Sequence, residues 1–207
     1  KRTEGIVFVT GVSGTGKSYV TIKRGLELLL DEKNEISTFF QIRPAVSAGE
    51  TRGHLPGDLA QKLDPWHVAV QEIMGECGVN NNHKLVQDQK IRTEAIGYMR
   101  GITFNNAYVY VTEAQNMTVE QTKMILTRAG KNCVMILEGD VDQQDLRKHI
   151  ISGLDDAVRR FKDKEDEGIY HVELNDIVRS NLVATVLNGY SDIEEIDDEG
   201  DYFDDIE

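Results

Sequence analysis

Short apolar segments rich in β-branched residues alternate along the chain with longer segments of helical periodicity. Residues 6–9, 107–111 and 133–137 are apolar without interruption, which predicts strands that are buried on both faces. A weaker strand is predicted at 35–40. The alternation of side chains in 169–174 favours an edge strand.

Helical patterns occupy the segments between these strands. Residues 17–30 directly follow the first apolar run, and a further helix-like pattern covers 59–74. Thr118 and Gln121 have the spacing of a capping box, which predicts a helix that ends near residue 128. A last apolar stripe at helical spacing is formed by Leu154, Ala157, Val158 and Phe161. This alternation predicts an α/β fold with a mainly parallel sheet flanked by helices.

Three polar segments are predicted at one rim of this sheet, because parallel sheets bind ligands beyond the carboxyl ends of their strands. These segments are 11–18, 112–116 and 138–144. The first matches the phosphate-loop pattern G-x-x-x-x-G-K-[ST] in full, between a predicted strand and a predicted helix. A glycine turn beside an exposed lysine is the alternative, and it does not require that context.

The phosphate loop assigns roles to its residues. Its glycines let successive backbone N–H groups converge on an anion. Lys17 is expected to contact the β and γ phosphates of ATP, and the Ser18 hydroxyl to bind Mg²⁺. The expected phosphate-binding residues of the loop are Gly11, Ser13, Gly14, Thr15, Gly16, Lys17 and Ser18.

The two other polar segments supply candidate catalytic groups. Glu113 follows a buried strand and is expected to orient a water molecule at the γ-phosphorus; a capping or turn carboxylate is the alternative. After the next buried strand, Asp140 and Gln143 are expected to sense the γ-phosphate or to hold the attacking water. Without the other two motifs, residues 138–145 would be interpreted as an ordinary polar loop.

In their order along the chain, these segments resemble a PhoH-like ATPase of the phage type over roughly residues 5–190. The resemblance implies a single-domain P-loop NTPase of the RecA-like class, related to superfamily 1 helicases. It also implies assembly as a homo-oligomeric ring, for which a hexamer is one size. The matching segments are 11–18, 43–44, 49–50, 55–59, 98–101, 113–116, 120–121, 123–124, 126–128, 139–146, 152–154 and 176–179.

Two arginines gain catalytic roles only from this resemblance. Residues 174–180 resemble the arginine-bearing motif of the superfamily, which would place Arg179 on the γ-phosphate. Arg128 is the second candidate, and it would reach the site of a neighbouring subunit. Either arginine alone would be interpreted as an ordinary surface or salt-bridge residue.

One departure from the family concerns the metal. Thr112 replaces an Asp that helps the family to hold Mg²⁺, and Glu138 stands where the family more often has a small residue. The strands that end at these two residues are expected to flank the phosphate-loop strand. We expect Mg²⁺ at Ser18 and Glu113, and one hypothesis is that Glu138 partly replaces the missing carboxylate. Weakened metal binding is the alternative.

The net charge of −13 is concentrated at one end of the chain. Residues 192–207 contain ten acidic side chains and no basic ones, whereas residues 1–191 carry 26 acidic and 23 basic side chains. We therefore expect an ATPase domain at 1–190 and a disordered acidic tail at 191–207. A tail that mimics nucleic acid and occupies a basic groove is the alternative.

Nucleic-acid contacts are predicted mainly from the family. The segment 43–62 lies where superfamily 1 enzymes contact a single strand, and it carries Arg43, Arg52 and Lys62. Arg100 belongs to a second basic stretch. Phosphate contacts from such residues would give salt-dependent binding of RNA or single-stranded DNA.

The remaining features bound the cellular setting. Cys77 and Cys133 lack the spacing of a metal site, and no apolar run approaches the ~20 residues of a membrane span. We expect a reducing cytoplasm, that of the infected host for a phage protein, and no membrane partner. Because the chain begins at Lys1 without Met, part of the natural N-terminus is expected to be missing.

Three functions are consistent with these features. The leading hypothesis is a Mg²⁺-dependent ATPase that acts on RNA or single-stranded nucleic acid as a ring. The second is an ATP-binding switch or scaffold with little turnover, because Thr112 brings no charge. The third is a small-molecule phosphotransferase, against which Gln143 and the arginine motif argue.

Overall fold

The secondary structure is known from a computed structural model, which describes residues 4–44, 70–140, 143–146, 149–176 and 178. Within them the strands are β1 (Gly5–Thr10), β2 (Thr38–Arg43), β3 (Ile91–Ala95), β4 (Ala107–Val111), β5 (Cys133–Gly139) and β6 (Ile169–Glu173). The helices are α1 (Lys17–Leu30), α2 (described over 70–76), α3 (Lys84–Gln87), α4 (Val119–Leu126) and α5 (Gly153–Arg160). Short 3₁₀ turns lie at Ile96–Tyr98, Ala114–Asn116 and Glu165–Glu167.

All six described strands form one parallel sheet in the order β3-β2-β4-β5-β1-β6. Strand β1, which leads into the phosphate loop, lies between β5 and β6. Strand β5 separates β4 from β1. The expectation that the strands ending at Thr112 and Glu138 both flank β1 is therefore wrong for Thr112. Both β4 and β5 are buried on both faces, so their periodicity does not distinguish which of them pairs with β1.

Each face of the sheet carries its own apolar cluster. Helix α1 covers one face, where Ile22 and Leu26 belong to a cluster with Phe39 and Tyr108. Helices α4 and α5 cover the other face, whose cluster includes Val109, Met135, Ile125 and Leu154. Side chains of neighbouring positions on β4 thus enter different clusters, as the pleat of a strand requires. The two covered faces leave the ends of the strands as the place for a ligand site.

Helix α1 approaches the sheet closely at Gly25. A Cβ atom at this position would lie 2.4 Å from the Phe39 ring and 2.5 Å from the Tyr108 ring. The Tyr108 hydroxyl also donates a hydrogen bond of 2.7 Å to the backbone oxygen of Thr21. Glycine therefore lets α1, and the phosphate loop that precedes it, lie low on the sheet.

Most of the predicted elements are confirmed. The three uninterrupted apolar runs form the interior strands β1, β4 and β5, and the run at 169–174 forms β6, which is at one edge of the sheet among the described strands. Helix α1 has the predicted bounds. The capping box is present: the Thr118 hydroxyl accepts from the Gln121 backbone N–H at 3.3 Å, and the Gln121 side chain accepts from the Thr118 N–H at 3.0 Å.

The differences lie at one edge of the sheet and at the ends of helices. Strand β3 was not predicted, and the strand expected at 35–40 runs instead from Thr38 to Arg43. Helix α4 ends at Leu126, before the predicted residue 128. Much of the helix predicted at 59–74, and the boundary between domain and tail near residue 190, lie outside the described residues. Among the helices of the described residues, none has the length and apolar character to span a membrane.

Candidate nucleotide-binding site

A cleft of about 450 Å³ opens where the carboxyl ends of β1, β4 and β5 meet, at the predicted rim. The phosphate loop and the start of α1 form one wall. Residues after β4 and β5 form the opposite wall, and Val70 and Ile73 of α2 contribute an apolar side. Its polar lining includes Ser13, Lys17, Ser18, Thr112, Glu113, Glu138, Asp140 and Gln143. Three segments that are far apart in the sequence thus share one cleft.

The phosphate loop begins where β1 ends and closes into α1. Gly16 caps the helix with φ of 81°, a left-handed conformation that favours glycine. The Gly11 backbone passes so close to Leu174 that a Cβ atom there would lie 2.1 Å from the Leu174 carbonyl oxygen. The Thr15 hydroxyl, donating 3.0 Å to the Val12 oxygen, ties the loop to itself. Local packing and hydrogen bonds therefore fix the loop before any ligand arrives.

Lys17 lies inside the loop rather than on the surface. Its side chain is 8% exposed, and its ammonium donates to the carbonyl oxygens of Gly11 at 2.7 Å and Val12 at 2.9 Å. These bonds satisfy a buried cation. A phosphate in the loop would offer this ammonium charged oxygens in place of neutral carbonyls, and charge-assisted hydrogen bonds are stronger.

Glu138 lies at the centre of a short hydrogen-bonded chain. The Ser18 hydroxyl donates 2.8 Å to its Oε1, and the Tyr110 hydroxyl donates to its Oε2. Burial raises the pKa of the Glu138 carboxyl, while the bonds from Tyr110 and Ser18 and the charge of Lys17 oppose that shift. Burial beside this carboxylate also raises the pKa of Tyr110, which keeps the phenol protonated as a donor.

Gln115 connects the segments that carry Glu113, Asp140 and Gln143. Its side-chain amide donates 2.7 Å to the Glu113 carboxylate and 3.1 Å to the backbone oxygen of Gln143. Its amide oxygen accepts from the Asp140 backbone N–H at 3.3 Å. The side chain is 2% exposed, so these bonds are shielded from water. One network thus holds the Glu113 carboxylate together with the backbone at Asp140 and Gln143.

The backbone of this wall is also constrained. Glu113 has φ of 54° and ψ of 37°, a left-handed conformation that costs energy in a residue with a side chain. Asn116 accepts a hydrogen bond of 2.7 Å from the Asp145 backbone N–H, which fastens the loop after β5 to the turn after β4. Strain of this kind is typical of functional sites and persists because neighbouring contacts hold it.

Arg43 lines the same cleft. Burial lowers the pKa of its guanidinium, and the neighbouring charges of Glu113 and Asp145 act in the opposite direction. This residue was predicted as a nucleic-acid contact, and the structure places it beside the predicted catalytic carboxylate.

The structure brings together most of the sequence-predicted site. Gly14 and Gly16 line the cleft with the polar residues already named, and Gly11 and Thr15 belong to the loop beneath it. Among described residues, Arg100 and Arg128 lie outside the lining, and the Phe104 N–H donates to the Arg128 backbone oxygen near the beginning of β4. The predicted residues Arg52, Lys62 and Arg179 lie outside the described part of the chain.

Two residues of the site were not singled out by the sequence. Gln115 was seen only as part of a matching segment, although a buried glutamine two residues after Glu113 is the group that joins the motifs. Tyr110 lies in an apolar run that predicts a buried strand. The run does not indicate which residue the Tyr110 hydroxyl contacts.

The donor set of the cleft fits Mg²⁺. This ion is usually held by one or two carboxylates together with phosphate oxygens and water. The cleft offers the Ser18 hydroxyl with Glu138 2.8 Å away, and Glu113 in the same lining. Among the described residues, no group of three or more His, Cys, Asp and Glu side chains could hold a metal by itself. A site completed by phosphate oxygens is therefore the one that these residues favour.

Comparison with protein families identifies the chain. The family described as PhoH-like protein matches residues 1–191. The chain belongs to the PhoH-like family. The resemblance to the PhoH-like family is thereby confirmed, and the parallel sheet with its phosphate loop is a P-loop NTPase fold.

Curated relatives carry the same family name. This PhoH-like chain is 36% identical over 189 residues to Protein PhoH of Escherichia coli K12, covering 90% of this chain and 53% of the relative. It is 40% identical over 188 residues to the PhoH-like protein of Bacillus subtilis, covering 89% and 58%. The PhoH-like protein of Synechocystis is 39% identical over 186 residues, covering 89% and 56%. The chain therefore spans about half the length of these relatives.

A solved structure titled Bacteroides Pif1 bound to ssDNA is also similar to the PhoH-like chain. The identity is 13%, the TM-score is 0.41, and the match covers 90% of this chain and 42% of that one.

Proposed function

We propose that the chain binds ATP with Mg²⁺ and hydrolyses it, in a cycle coupled to RNA or single-stranded nucleic acid, as a ring of identical subunits. The observation that supports hydrolysis most directly is the Gln115 network, which holds Glu113 and the Gln143 segment opposite the phosphate loop in one cleft. A phosphate-binding protein without turnover would not need an acid held in this way.

Binding is assigned to the loop and Lys17. Backbone N–H groups of the loop and the start of α1 offer donors to the phosphates. The Lys17 ammonium would exchange the carbonyl oxygens of Gly11 and Val12 for β and γ phosphate oxygens. Its burial strengthens this attraction, because charges interact more strongly away from water.

Chemistry is assigned to the opposite wall. Glu113 would accept a hydrogen bond from a water molecule and orient it toward the γ-phosphorus, while Gln143 would hold the same water or sense the γ-phosphate with Asp140. Gln115 would act as a positioning residue, since it holds the Glu113 carboxylate at 2.7 Å. Mg²⁺ at Ser18 and the nearby carboxylates would supply positive charge to the β and γ phosphates.

Arg128 is assigned by its position, and Arg179 by the family motif. The Arg128 backbone lies beside Phe104, near the beginning of β4 and away from the end where the chain's own cleft opens. A role in the site of a neighbouring subunit in the ring is therefore the one that its position favours. Arg179 remains the proposed γ-phosphate contact within the chain, on the basis of the family motif.

Coupling to nucleic acid is assigned mainly from the family. Arg100 is exposed and available to phosphates. Arg43 would respond to nucleotide more directly than to a nucleic-acid strand, because it lines the cleft. Arg52 and Lys62 complete the proposed set on the basis of the family resemblance alone. The proposed setting is the cytoplasm, that of the infected host if the chain is a phage protein.

One observation favours a second function, an ATP-binding switch or scaffold with little turnover. Thr112 lines the cleft at the end of β4 and brings no charge to it. Weak metal binding would then slow hydrolysis while the loop still held ATP.

Hydrolysis assays on the purified chain separate the two functions. ATP turnover is measured with and without Mg²⁺ and single-stranded RNA, beside Glu113→Gln and Lys17→Ala. We expect Mg²⁺-dependent turnover that Glu113→Gln lowers at least about 100-fold, the usual contribution of a positioned acid or base, with ATP still bound. Lys17→Ala should lose binding as well. Tight ATP binding without turnover in the wild type would support the switch instead.

A further inference from the structure

Thr112 and Glu138, at the carboxyl ends of neighbouring strands, are the two positions at which a metal-binding carboxylate is considered. Strand β4 ends with Val111 paired to Leu137 of β5. The next residues, Thr112 and Glu138, therefore lie at the same level of the sheet, and directly opposite residues project from the same face. Of the two, only Glu138 bears a charge, and it lies on β5, the strand adjacent to the phosphate-loop strand β1.

Glu138 contacts the metal-binding hydroxyl of the loop. The Ser18 Oγ donates to Glu138 Oε1 at 2.8 Å, and the Glu138 side chain is 5% exposed. A hydroxyl has one donor hydrogen and two acceptor lone pairs. Ser18 can therefore donate to Glu138 and still present oxygen lone pairs to a cation. This arrangement brings a carboxylate and a free lone pair to one point in the cleft.

Tyr110 fixes the other oxygen of this carboxylate. Its hydroxyl donates to Glu138 Oε2 from a side chain that is 1% exposed. Two hydrogen bonds, one to each oxygen, leave the carboxylate little freedom to turn away from Ser18. By contrast, the Glu113 carboxylate accepts from Gln115, on the side of the cleft that faces Gln143.

We propose that Glu138 is the carboxylate that holds Mg²⁺ together with Ser18, in the place that a carboxylate at Thr112 would otherwise take, and that Tyr110 is its positioning residue. This inference rests on the proposed function, since the ion arrives with ATP. It assigns Glu113 to the attacking water alone.

The alternative is that Ser18, Glu138 and Tyr110 form only a structural tie between α1 and the sheet. A structural tie would affect folding and the binding of ATP with or without Mg²⁺ to the same degree. A metal ligand affects only the part of the affinity that Mg²⁺ adds. The ratio of the two affinities therefore distinguishes the roles.

The test measures binding of the non-hydrolysable analogue AMP-PNP to the full chain, in Mg²⁺ and in EDTA. We expect Glu138→Gln to reduce the Mg²⁺ enhancement of affinity by about 10- to 100-fold, the usual effect of removing a metal-site partner. The affinity in EDTA should not fall, because the substitution removes a negative charge near the phosphates. Tyr110→Phe should change the enhancement in the same direction by less.

Two further variants make the test specific. In Glu113→Gln the Mg²⁺ enhancement should persist. In the double variant Glu138→Thr/Thr112→Asp, a carboxylate returns at the same level one strand away, and the enhancement should recover relative to Glu138→Thr alone. Recovery also guards against a folding defect, since an unfolded protein would not regain metal-dependent binding.

Two outcomes would overturn the inference. If Glu138→Gln keeps the full enhancement, or if Glu113→Gln loses it as completely as Glu138→Gln does, then Glu138 is not the carboxylate that holds the metal in place of Glu113. Either result leaves ATP binding intact and so refutes this inference alone. Failure of the wild-type chain to bind AMP-PNP under both conditions would refute the proposed function and this inference with it.

Discussion

Replacing Gly25 by alanine has two opposite effects on stability, a gain in helix propensity and a steric overlap with the sheet. Gly25 lies in the interior of α1, where alanine is favoured over glycine by about 1 kcal/mol. The added Cβ, however, would lie 2.4 Å from the Phe39 ring and 2.5 Å from the Tyr108 ring, whereas ordinary contacts begin at 3.4 Å. One element or both must therefore move by about an ångström, and the question is which effect is larger.

Packing should win. Overfilling a core typically costs about 1–3 kcal/mol, and this site belongs near the upper end. Both rings are almost fully buried, and the Tyr108 hydroxyl is bound to the Thr21 backbone, so neither can retreat freely. The difference is a net loss of about 1–2 kcal/mol in the free energy of unfolding. For a chain of this size that lowers Tm by about 2–8 °C.

Thermal and urea unfolding followed by circular dichroism would measure the effect. Gly75→Ala is the matched control, because Gly75 also lies in a helix and, among the described residues beyond its chain neighbours and its own helix backbone, a Cβ there meets no atom within 4 Å. That variant should gain up to about 1 kcal/mol from helix propensity alone. The reasoning is refuted if Gly25→Ala unfolds at or above the wild-type Tm, or if Gly75→Ala is destabilised as strongly.

Two further predictions test local structure. Thr118→Ala removes the hydroxyl that caps α4 and should lower the free energy of unfolding by about 1 kcal/mol in urea titrations; Thr127→Ala, which removes an exposed hydroxyl bound to the Met124 oxygen, should have a smaller effect. Burial raises the pKa of the Cys133 thiol to about 11, so at pH 8 a thiol reagent should modify the half-buried Cys77 first. Cys133 should react only on unfolding or as the pH approaches 11, and equally fast modification of both thiols in the native protein would contradict its burial.

The sequence predicted the interior of the fold better than its edge. Strands β1, β4 and β5 are apolar on both faces, and such runs indicate strands without any knowledge of their neighbours. Among the described strands, β3 pairs only with β2, and its sequence is Ile-Arg-Thr-Glu-Ala. Its polar side chains remove the apolar pattern by which a strand is predicted. The order of the strands could not be predicted from hydrophobic periodicity. Which strands pair depends on which helices cover each face of the sheet, and the pattern within one strand does not record this.

The site was predictable where a backbone motif defines it and unpredictable where side chains join motifs. The phosphate loop follows from its glycine spacing and Lys17, which the structure places in the cleft. Gln115 is different, because its three hydrogen bonds reach groups 2, 25 and 28 residues away, and no local pattern records them. Tyr110 has two roles, because its ring fills the core and its hydroxyl donates to Glu138. The apolar run in which it lies predicts only the first role.

The strand order explains how position 138 could supply a carboxylate to the same site as position 112. Neighbouring strands are about 4.8 Å apart, so Thr112 on β4 lies about two spacings from β1, while Glu138 on β5 lies one spacing away. A carboxylate on β5 therefore starts closer to the Ser18 hydroxyl than one on β4. Judged by its motif alone, Thr112 indicates a chain that has lost a metal ligand. In the proposed assignment the charge lies on the adjacent strand, so variants that keep Glu138 should keep Mg²⁺-dependent binding of AMP-PNP.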